Sequence, residues 1–376
     1  MKIVIAPDKF KNSLNAFEFC NAVEEGFLKV SDSFEIVKLP LADGGDGTMT
    51  VIKHYLEGEE VKITVKDPLF RNIEASYLFS SKHKSAFIEM AEASGYHLLK
   101  PEDRNCMNTS TYGTGEMIKN AIENGVKEII LGIGGSATND CGIGMATALG
   151  YRFLDKNGND IIPIGRNLID IISIDASQVH PQLKNINFKV ACDVTNPLYG
   201  PKGAAHVYAS QKGANKEEVI FLDKGLRHFA TVLNDFFGVE SGSIIGGGAA
   251  GGMGAGGKLF LDAMLIRGIE MVMEIASFKE NTTDADWIIT GEGKLDNQTV
   301  FGKTISGILQ FADDHKIPVA AFCGSVVISI DEQKQLGIEY ATSILKKIGS
   351  LEDAIDASYG NLRFQAYNFA NMLIKK

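Results

Sequence analysis

Hydrophobic positions fall into two rhythms along this chain. Toward both ends, short apolar runs alternate with longer stretches of helical spacing. Residues 2–6 read as a short buried strand, and Phe17, Val23, Phe27 and Val30 then recur as one apolar stripe, which predicts a helix to about Val30. Asn15 followed by Glu18 predicts its start through a capping box, with Ser13 as the competing N-cap. The order repeats as a strand over 35–39, a loop over 40–47 and a helix over 48–56; two βα units in succession predict a parallel sheet. The same rhythm returns late in the chain: strand 287–290, helix 303–314, strands 318–323 and 340–344, and one final helix over 351–373.

The middle of the chain reads differently. Strands over 61–65, 74–79 and 86–90 follow one another without long helices between them. A helix over 115–124, a buried strand over 128–133, a glycine-rich turn and a helix ending at Leu149 come next. A hairpin is predicted from 151–155 with its turn at Asn157-Gly158, then a strand over 188–194 and a long helix over 217–237. Nine glycines crowd the sixteen residues from Gly242 to Gly257. The predicted fold class is α/β: a Rossmann-like parallel sheet domain built from both termini (1–67 and 258–376), with a second, mixed α/β domain inserted over 68–257.

Composition narrows the function. A length of 376 residues suits two domains, and 45% hydrophobic with 22% charged residues excludes disorder as the main state. No apolar run approaches the roughly 20 residues a membrane span needs, and the first apolar run is too short for a signal peptide. The net charge of −10, without a basic stripe, argues against nucleic acid and for a small-molecule partner. Five scattered cysteines with no CxxC pair read as reduced thiols, so a cytoplasmic location is expected. Forty glycines, about 11% against a usual ~7%, point to loops where backbone approaches a ligand closely.

Four loops carry the candidate chemistry, each expected where a strand ends, the side on which parallel α/β sheets bind ligands. Over 6–13, Lys9 and Lys11 stand between a strand end and a helix N-terminus, a place that favours an anion, while Asp8 is suited to hold a lysine or a metal. Over 41–48, Asp43 and Asp46 alternate with glycines, a spacing that serves a metal or substrate hydroxyls, or simply an Asp-Gly turn before a helix. Over 132–140, Gly134, Gly135, Ser136 and Thr138 suit a phosphate cradle or a tight strand-to-helix turn; the segment is neither a Walker A loop nor GxGxxG. Over 289–296, Gly291, Glu292, Lys294 and Asp296 close a buried strand. Asp193 is read as an acid interrupting the apolar strand over 188–194. A buried charge without a partner is costly, so it ranks above surface carboxylates; a backbone-capping role is the plainer alternative. The seven histidines show no metal spacing, and no Gly-x-Ser-x-Gly elbow occurs.

Several motifs together resemble those of the bacterial glycerate kinases of the first type. They are Ala6-Pro7-Asp8-Lys9-Phe10-Lys11, Leu41-Ala42-Asp43-Gly44-Gly45-Asp46-Gly47-Thr48, Glu89-Met90-Ala91-Glu92-Ala93-Ser94-Gly95 and Gly134-Gly135-Ser136-Ala137-Thr138-Asn139-Asp140. Asp193-Val194-Thr195-Asn196-Pro197-Leu198, Gly200-Pro201-Lys202-Gly203-Ala204, Gln211-Lys212-Gly213-Ala214 and Thr290-Gly291-Glu292-Gly293 complete the set. Asn12, Cys141 and Phe70 stand where this family pattern leads one to expect glycine. The resemblance implies ATP-dependent phosphorylation of D-glycerate, usually at the 2-hydroxyl, by a two-domain α/β enzyme with its site in the interdomain cleft.

With that chemistry the residues take expected roles. Asp193 and Lys9 are catalytic, and Asp8, Lys11, Asp43 and Arg71 bind substrate. Gly134, Gly135, Ser136, Thr138 and Gly291 bind nucleotide. Glu292 and Asp296 hold Mg²⁺, with Asp43 and Asp46 as the competing pair. The alternatives are the same kinase giving 3-phosphoglycerate, a nucleotide-dependent oxidoreductase of small hydroxy acids, whose GxGxxG loop is missing here, or a non-catalytic sugar-acid binder. The oligomeric state stays open, a homodimer included.

Overall fold

In the computed structural model, which describes residues 1–10, 13–42, 47–296 and 303–374, the chain begins with β1 (Lys2–Ile5), α1 (Ala16–Leu28), β2 (Glu35–Lys38) and α2 (Thr48–Leu56). Asn15 caps α1 in the expected box: it accepts the Glu18 N–H at 2.9 Å, and the Glu18 carboxylate accepts the Asn15 N–H at 2.9 Å. Ser13 instead bonds the Ser358 hydroxyl at 2.8 Å.

The chain then forms β3 (Glu59–Lys66), β4 (Asn72–Ser80), β5 (Ser85–Glu89), α3 (Ala91–Ser94), α4 (Tyr112–Glu123), β6 (Glu128–Gly132), α5 (Ile143–Ala148), β7 (Arg152–Leu154) and β8 (Ser173–Asp175). β9 (Asn187–Ala191), α6 (Lys216–Phe237), α7 (Ala249–Phe260) and β10 (Met264–Ile266) follow. The last third contributes α8 (Gly268–Ile275), α9 (Phe278–Thr282), β11 (Trp287–Thr290), β12 (Lys294–Leu295), α10 (Lys303–His315), β13 (Val319–Cys323) and β14 (Ser325–Val326). It ends with α11 (Ile330–Gln335), β15 (Ile338–Ser343), α12 (Leu351–Asp356) and α13 (Ser358–Ile374).

Two compact units result, one from residues 1–55 with 268–376 and the other from residues 56–267. The first carries a fully parallel sheet in the order β15-β13-β11-β1-β2. Its core sets Phe19, Val23 and Phe27 of α1 against Ala366, Phe369 and Ala370 of α13. The second carries a sheet in the order β10-β9-β6-β5-β4-β3, parallel from β10 to β5 and antiparallel through β4 and β3. β3 pairs with β4 along its whole length, so the chain enters this unit ahead of residue 68.

Three local expectations need correction, and the glycine-dense stretch takes a definite form. The Asn157-Gly158 turn forms, with the Asp155 carboxylate accepting the N–H groups of Asn157 and Asn159, but it closes through an isolated Leu154–Asp160 bridge. The antiparallel partner of β7 is the later β8. β9 ends at Ala191, so Asp193 lies beyond the strand. The last predicted helix is two, divided at Ala357, because Ser350 caps a separate short α12. The glycine-dense stretch folds largely into α7, interrupted by left-handed residues 250–252. A Cβ on Gly256 would strike the Cys141 carbonyl, so this glycine serves close packing of α7 on the β6–α5 loop.

Candidate active site

In the second unit, β5, β6, β9 and β10 end flush. Glu89 is in register with Gly132, Gly132 with Ala191, and Ala191 with Ile266. The loops that follow these strands therefore share one edge, the ligand side of a parallel sheet. The β3–β4 turn lies at the same edge, since β4 runs antiparallel to β5.

The loop after β6 is held from several directions. The Tyr96 N–H donates to the Gly135 carbonyl at 2.9 Å and the Ala137 N–H to the Ser94 carbonyl at 2.9 Å, forming a bridge between Gly95 and Ser136. The Thr109 hydroxyl donates to the Ala137 carbonyl at 2.9 Å. Lys212 reaches the loop from beneath: its buried ammonium donates to Ser136 Oγ at 2.7 Å and to the Thr138 carbonyl at 2.7 Å. Burial lowers its pKa to about 8, against the opposing pull of Cys106 and Asp140. Among the described residues, the N–H groups of Gly134, Gly135 and Ser136 meet no acceptor, and the two glycines are exposed. The buried Thr138 hydroxyl and both polar atoms of the buried Asn139 amide also lack a partner. Such orphaned polar groups are rare in folded proteins and mark a place where a ligand or water completes the bonding. N–H donors with no acceptor among the described residues, in a loop that also holds a buried cation, suit an anion.

Asp140 follows in the same loop but turns inward. Its buried carboxylate accepts the Thr111 N–H and hydroxyl, both at 2.8 Å, and the Gly142 and Gly144 N–H groups at 3.2 Å. Burial raises its pKa while these bonds oppose the rise. It ties α4 to the start of α5 and so fixes the cradle.

Asp193 is half-buried, two residues past β9. The premise that it interrupts a buried strand falls; what remains is a carboxylate just beyond a central strand end. Glu89, at the end of β5, is a second acid on this edge, and burial, followed by the charge of Glu92, raises its carboxyl above the usual range. Arg71 lies in the β3–β4 turn. Its Nε donates to the buried Asp67 at 2.6 Å and its Nη1 to Asp103 at 3.0 Å. Phe70 beside it has φ +62° and Cys141 has φ +54°, so two of the positions where glycine was expected are left-handed.

In the first unit, Asp8 and Lys9 follow β1. The Asp8 carboxylate accepts the Lys9 N–H and the Thr304 hydroxyl of α10, each at 2.7 Å, and the Asp8 N–H donates to the Gly291 carbonyl at 3.2 Å. A Cβ on Gly291 would collide with the Phe322 carbonyl, which ties the residue to the β11–β13 junction. Glu292 and Asp296 are half-buried, and Asp296 pairs with Lys294 at 2.7 Å. Among the described residues, no three His, Cys, Asp or Glu side chains form a metal cluster. Scattered carboxylates of this kind fit a cation that takes most of its shell from phosphate oxygens and water. Lys11, Asp43 and Asp46 lie outside the described residues.

No local pattern in the sequence singles out Lys212, Glu89 or Asn139. Lys212 was visible only as part of the Gln211-Lys212-Gly213-Ala214 motif, because nothing in a polar stretch marks one lysine as buried.

The glycerate kinase family model matches residues 3–374. The chain belongs to the glycerate kinase family. It is 46% identical over 368 residues to a glycerate kinase of Halalkalibacterium halodurans, covering 98% of this chain and 97% of that protein. It is 42% identical over 373 residues to the glycerate 2-kinase of Escherichia coli, covering 99% and 98%. A crystal structure from Salmonella typhimurium LT2, provisionally described as glycerate kinase 2, superposes with a TM-score of 0.87 at 42% identity, covering 100% of this chain and 98% of that one. The family fold thus spans both units and both sets of strand-end loops.

Proposed function

We propose that the protein transfers the γ-phosphoryl group of ATP to D-glycerate, giving 2-phosphoglycerate and ADP. The observation that carries this reading is the cradle of open N–H groups at Gly134–Ser136 with the Lys212 ammonium beneath it. Phosphoryl transfer requires positioning and charge neutralisation more than covalent chemistry, and a preorganised cradle supplies both. The glycerate 2-kinase relative supports the 2-hydroxyl as acceptor.

Gly134, Gly135, Ser136 and Thr138, with Gly291, bind the nucleotide. Asp193 accepts the proton leaving the 2-hydroxyl as that oxygen attacks phosphorus. Lys9, oriented through Asp8 and Thr304, offsets phosphate charge, and Asp8, Lys11, Asp43 and Arg71 bind glycerate. Mg²⁺ carried in with the nucleotide would neutralise phosphate charge, with Glu292 and Asp296 as its protein carboxylates. We place the enzyme in the cytoplasm, a reading supported by five cysteines none of which is in a disulfide; no described helix is long and apolar enough to cross a membrane.

The test is ADP release on adding D-glycerate, with the product assigned by phosphorus NMR. 2-Phosphoglycerate upholds the proposal, and 3-phosphoglycerate corrects the position. Cofactor reduction without ADP release replaces the kinase with an oxidoreductase.

A further inference from the structure

The first unit contains a recess of about 870 Å³ beyond the ends of β11, β13 and β15, with Leu345, Ile348 and Leu351 exposed along its rim. Nothing in the structure shows what covers it. The polar edge of the second unit carries more, through Glu89.

Glu89 is the last residue of β5 and pairs in register with Gly132, the last residue of β6. Its carboxylate bends over that neighbour: a Cβ on Gly132 would stand 2.9 Å from Glu89 Oε2 and 3.2 Å from its Cδ. The space that a side chain would fill at the end of β6 is thus taken by the acid of the next strand, at the root of the Gly134–Asp140 loop. Because β6 lies between β5 and β9, the carboxylate leans toward the side on which β9 runs out to Asp193. It is half-buried, and among the described residues it accepts no hydrogen bond and meets no cation. Burial, followed by the charge of Glu92, disfavours its ionised form. Holding a partly desolvated carboxylate without a partner destabilises the fold, and a polar ligand that pairs with it relieves that strain.

We propose that Glu89 accepts a hydrogen bond from the glycerate hydroxyl that is not phosphorylated, and so selects acids that carry a second hydroxyl. The inference rests on the kinase reading and adds to it the feature by which the acceptor is recognised. Charge decides which group meets Glu89. A carboxylate repels the carboxylate of glycerate and the phosphates of ATP, whereas it accepts from a hydroxyl. On the kinase reading the 2-hydroxyl loses its proton to Asp193, beyond the strand on the other side of β6, which leaves the 3-hydroxyl for Glu89. Ribose hydroxyls offer the same chemistry, but the phosphate chain separates them from the atoms that react.

The test is the preference for D-glycerate over D-lactate, the same acid without its 3-hydroxyl, in the wild type, Glu89→Gln and Glu89→Ala. kcat/KM is measured for both acids, and Kd for both by calorimetry, so that the result does not depend on turnover. A buried site made for a substrate hydroxyl rejects the analogue lacking it by ~10⁴–10⁵-fold, and a half-buried one is expected to reach about 100-fold. Glu89→Ala should abolish most of that preference by losing affinity for glycerate alone. Glu89→Gln, whose amide oxygen still accepts, should keep part of it, and the KM for ATP should stay unchanged in both. A preference that survives in both folded variants, or an equal loss for the two acids, overturns the proposal. So does an effect confined to the KM for ATP, which would assign Glu89 to ribose, or to the Mg²⁺ concentration for half-maximal activity, which would make it a metal ligand. If Glu89→Ala does not fold, Glu89→Gln decides by the same criteria. Wild-type protein that phosphorylates both acids equally well overturns the assignment and leaves the kinase reading intact. Wild-type protein that binds D-glycerate with a Glu89-dependent preference but releases no ADP refutes the kinase reading and upholds the assignment.

Discussion

The two units present their strand ends in contrasting ways. In the second unit the edge is polar and tightly held. The strands finish flush, the Gly134–Asp140 loop is bonded to 94–96, to Thr109 and to Lys212, and Asp140 locks the next helix. In the first unit the edge is a roomy recess with an apolar rim, where Asp8 is anchored by the Lys9 N–H and the Thr304 hydroxyl. On the kinase reading proposed above, the difference is one of physical task. Stabilising transferring charge demands fixed donors, since an electrostatic site that must reorganise loses its advantage. An apolar recess acts through buried area, which tolerates looser geometry.

If the polar edge carries the chemistry, the largest effects belong to its acid. Asp193→Asn keeps the shape of a half-buried side chain and is expected to lower kcat by about 10²–10⁴-fold with the fold intact. Near-normal turnover in a folded variant would remove Asp193 from the reaction and pass the role of base to Glu89, the other acid on that edge.

Lys212→Met comes next. It removes the cation under the cradle and leaves Ser136 Oγ and the Thr138 carbonyl without their donor. The expected result is a KM for ATP raised at least 10-fold, with about 1–3 kcal/mol of stability lost from the stranded acceptors. A purely structural lysine would lower the melting temperature and leave the kinetics of the folded fraction normal.

The pH dependence sharpens the same point. With its pKa near 8, Lys212 loses its proton above that pH, and kcat/KM for ATP should fall there as the cradle loses charge. Stability should move the opposite way. The native pKa lies below the unfolded value of about 10.4, so between these values the unfolded chain binds more protons. This group's contribution therefore rises with pH across that window. Buried thiols such as Cys106, pushed up to about 11 by desolvation, act in the reverse sense, so the melting-temperature difference between wild type and Lys212→Met is the quantity to follow.

In the first unit, Lys9→Ala, at a half-buried loop position, should raise the KM for substrate several-fold while costing no more than about 1 kcal/mol of stability. A sharp fall in melting temperature with normal kinetics would make this loop structural. The smallest effect is expected at Phe70→Gly. Relief of a left-handed backbone, about 1 kcal/mol, is offset by loss of the Phe70–Tyr112 ring contact at 6.0 Å, so the net change should stay within about 1 kcal/mol.

Periodicity, caps and turn residues were legible in the sequence because they are local. The βα order at both ends, the Asn15 box and the long α6 all follow from side chains acting on their own backbone. The strand-end loops were legible too, since a glycine-rich or charged break after an apolar run is itself the signal. The Gly242–Gly257 stretch stayed ambiguous in the sequence for a physical reason: glycine serves close helix packing as readily as ligand approach, and the Cys141 backbone beside Gly256 shows packing at that position. Asp193 misled because strand length near an apolar-to-polar change depends on the partner strands, and β9 stops in register with Gly132.

What the sequence by itself determined was the α/β class, the position of the strand-end loops and the set of motifs that points to the family. The tertiary structure alone decided which charges are buried. Lys212, 76 residues from Ser136, and Asp140, 29 residues from Thr111, acquire their meaning from partners brought together by folding. Burial is a property of everything packed around a group, and no local pattern of residues encodes it.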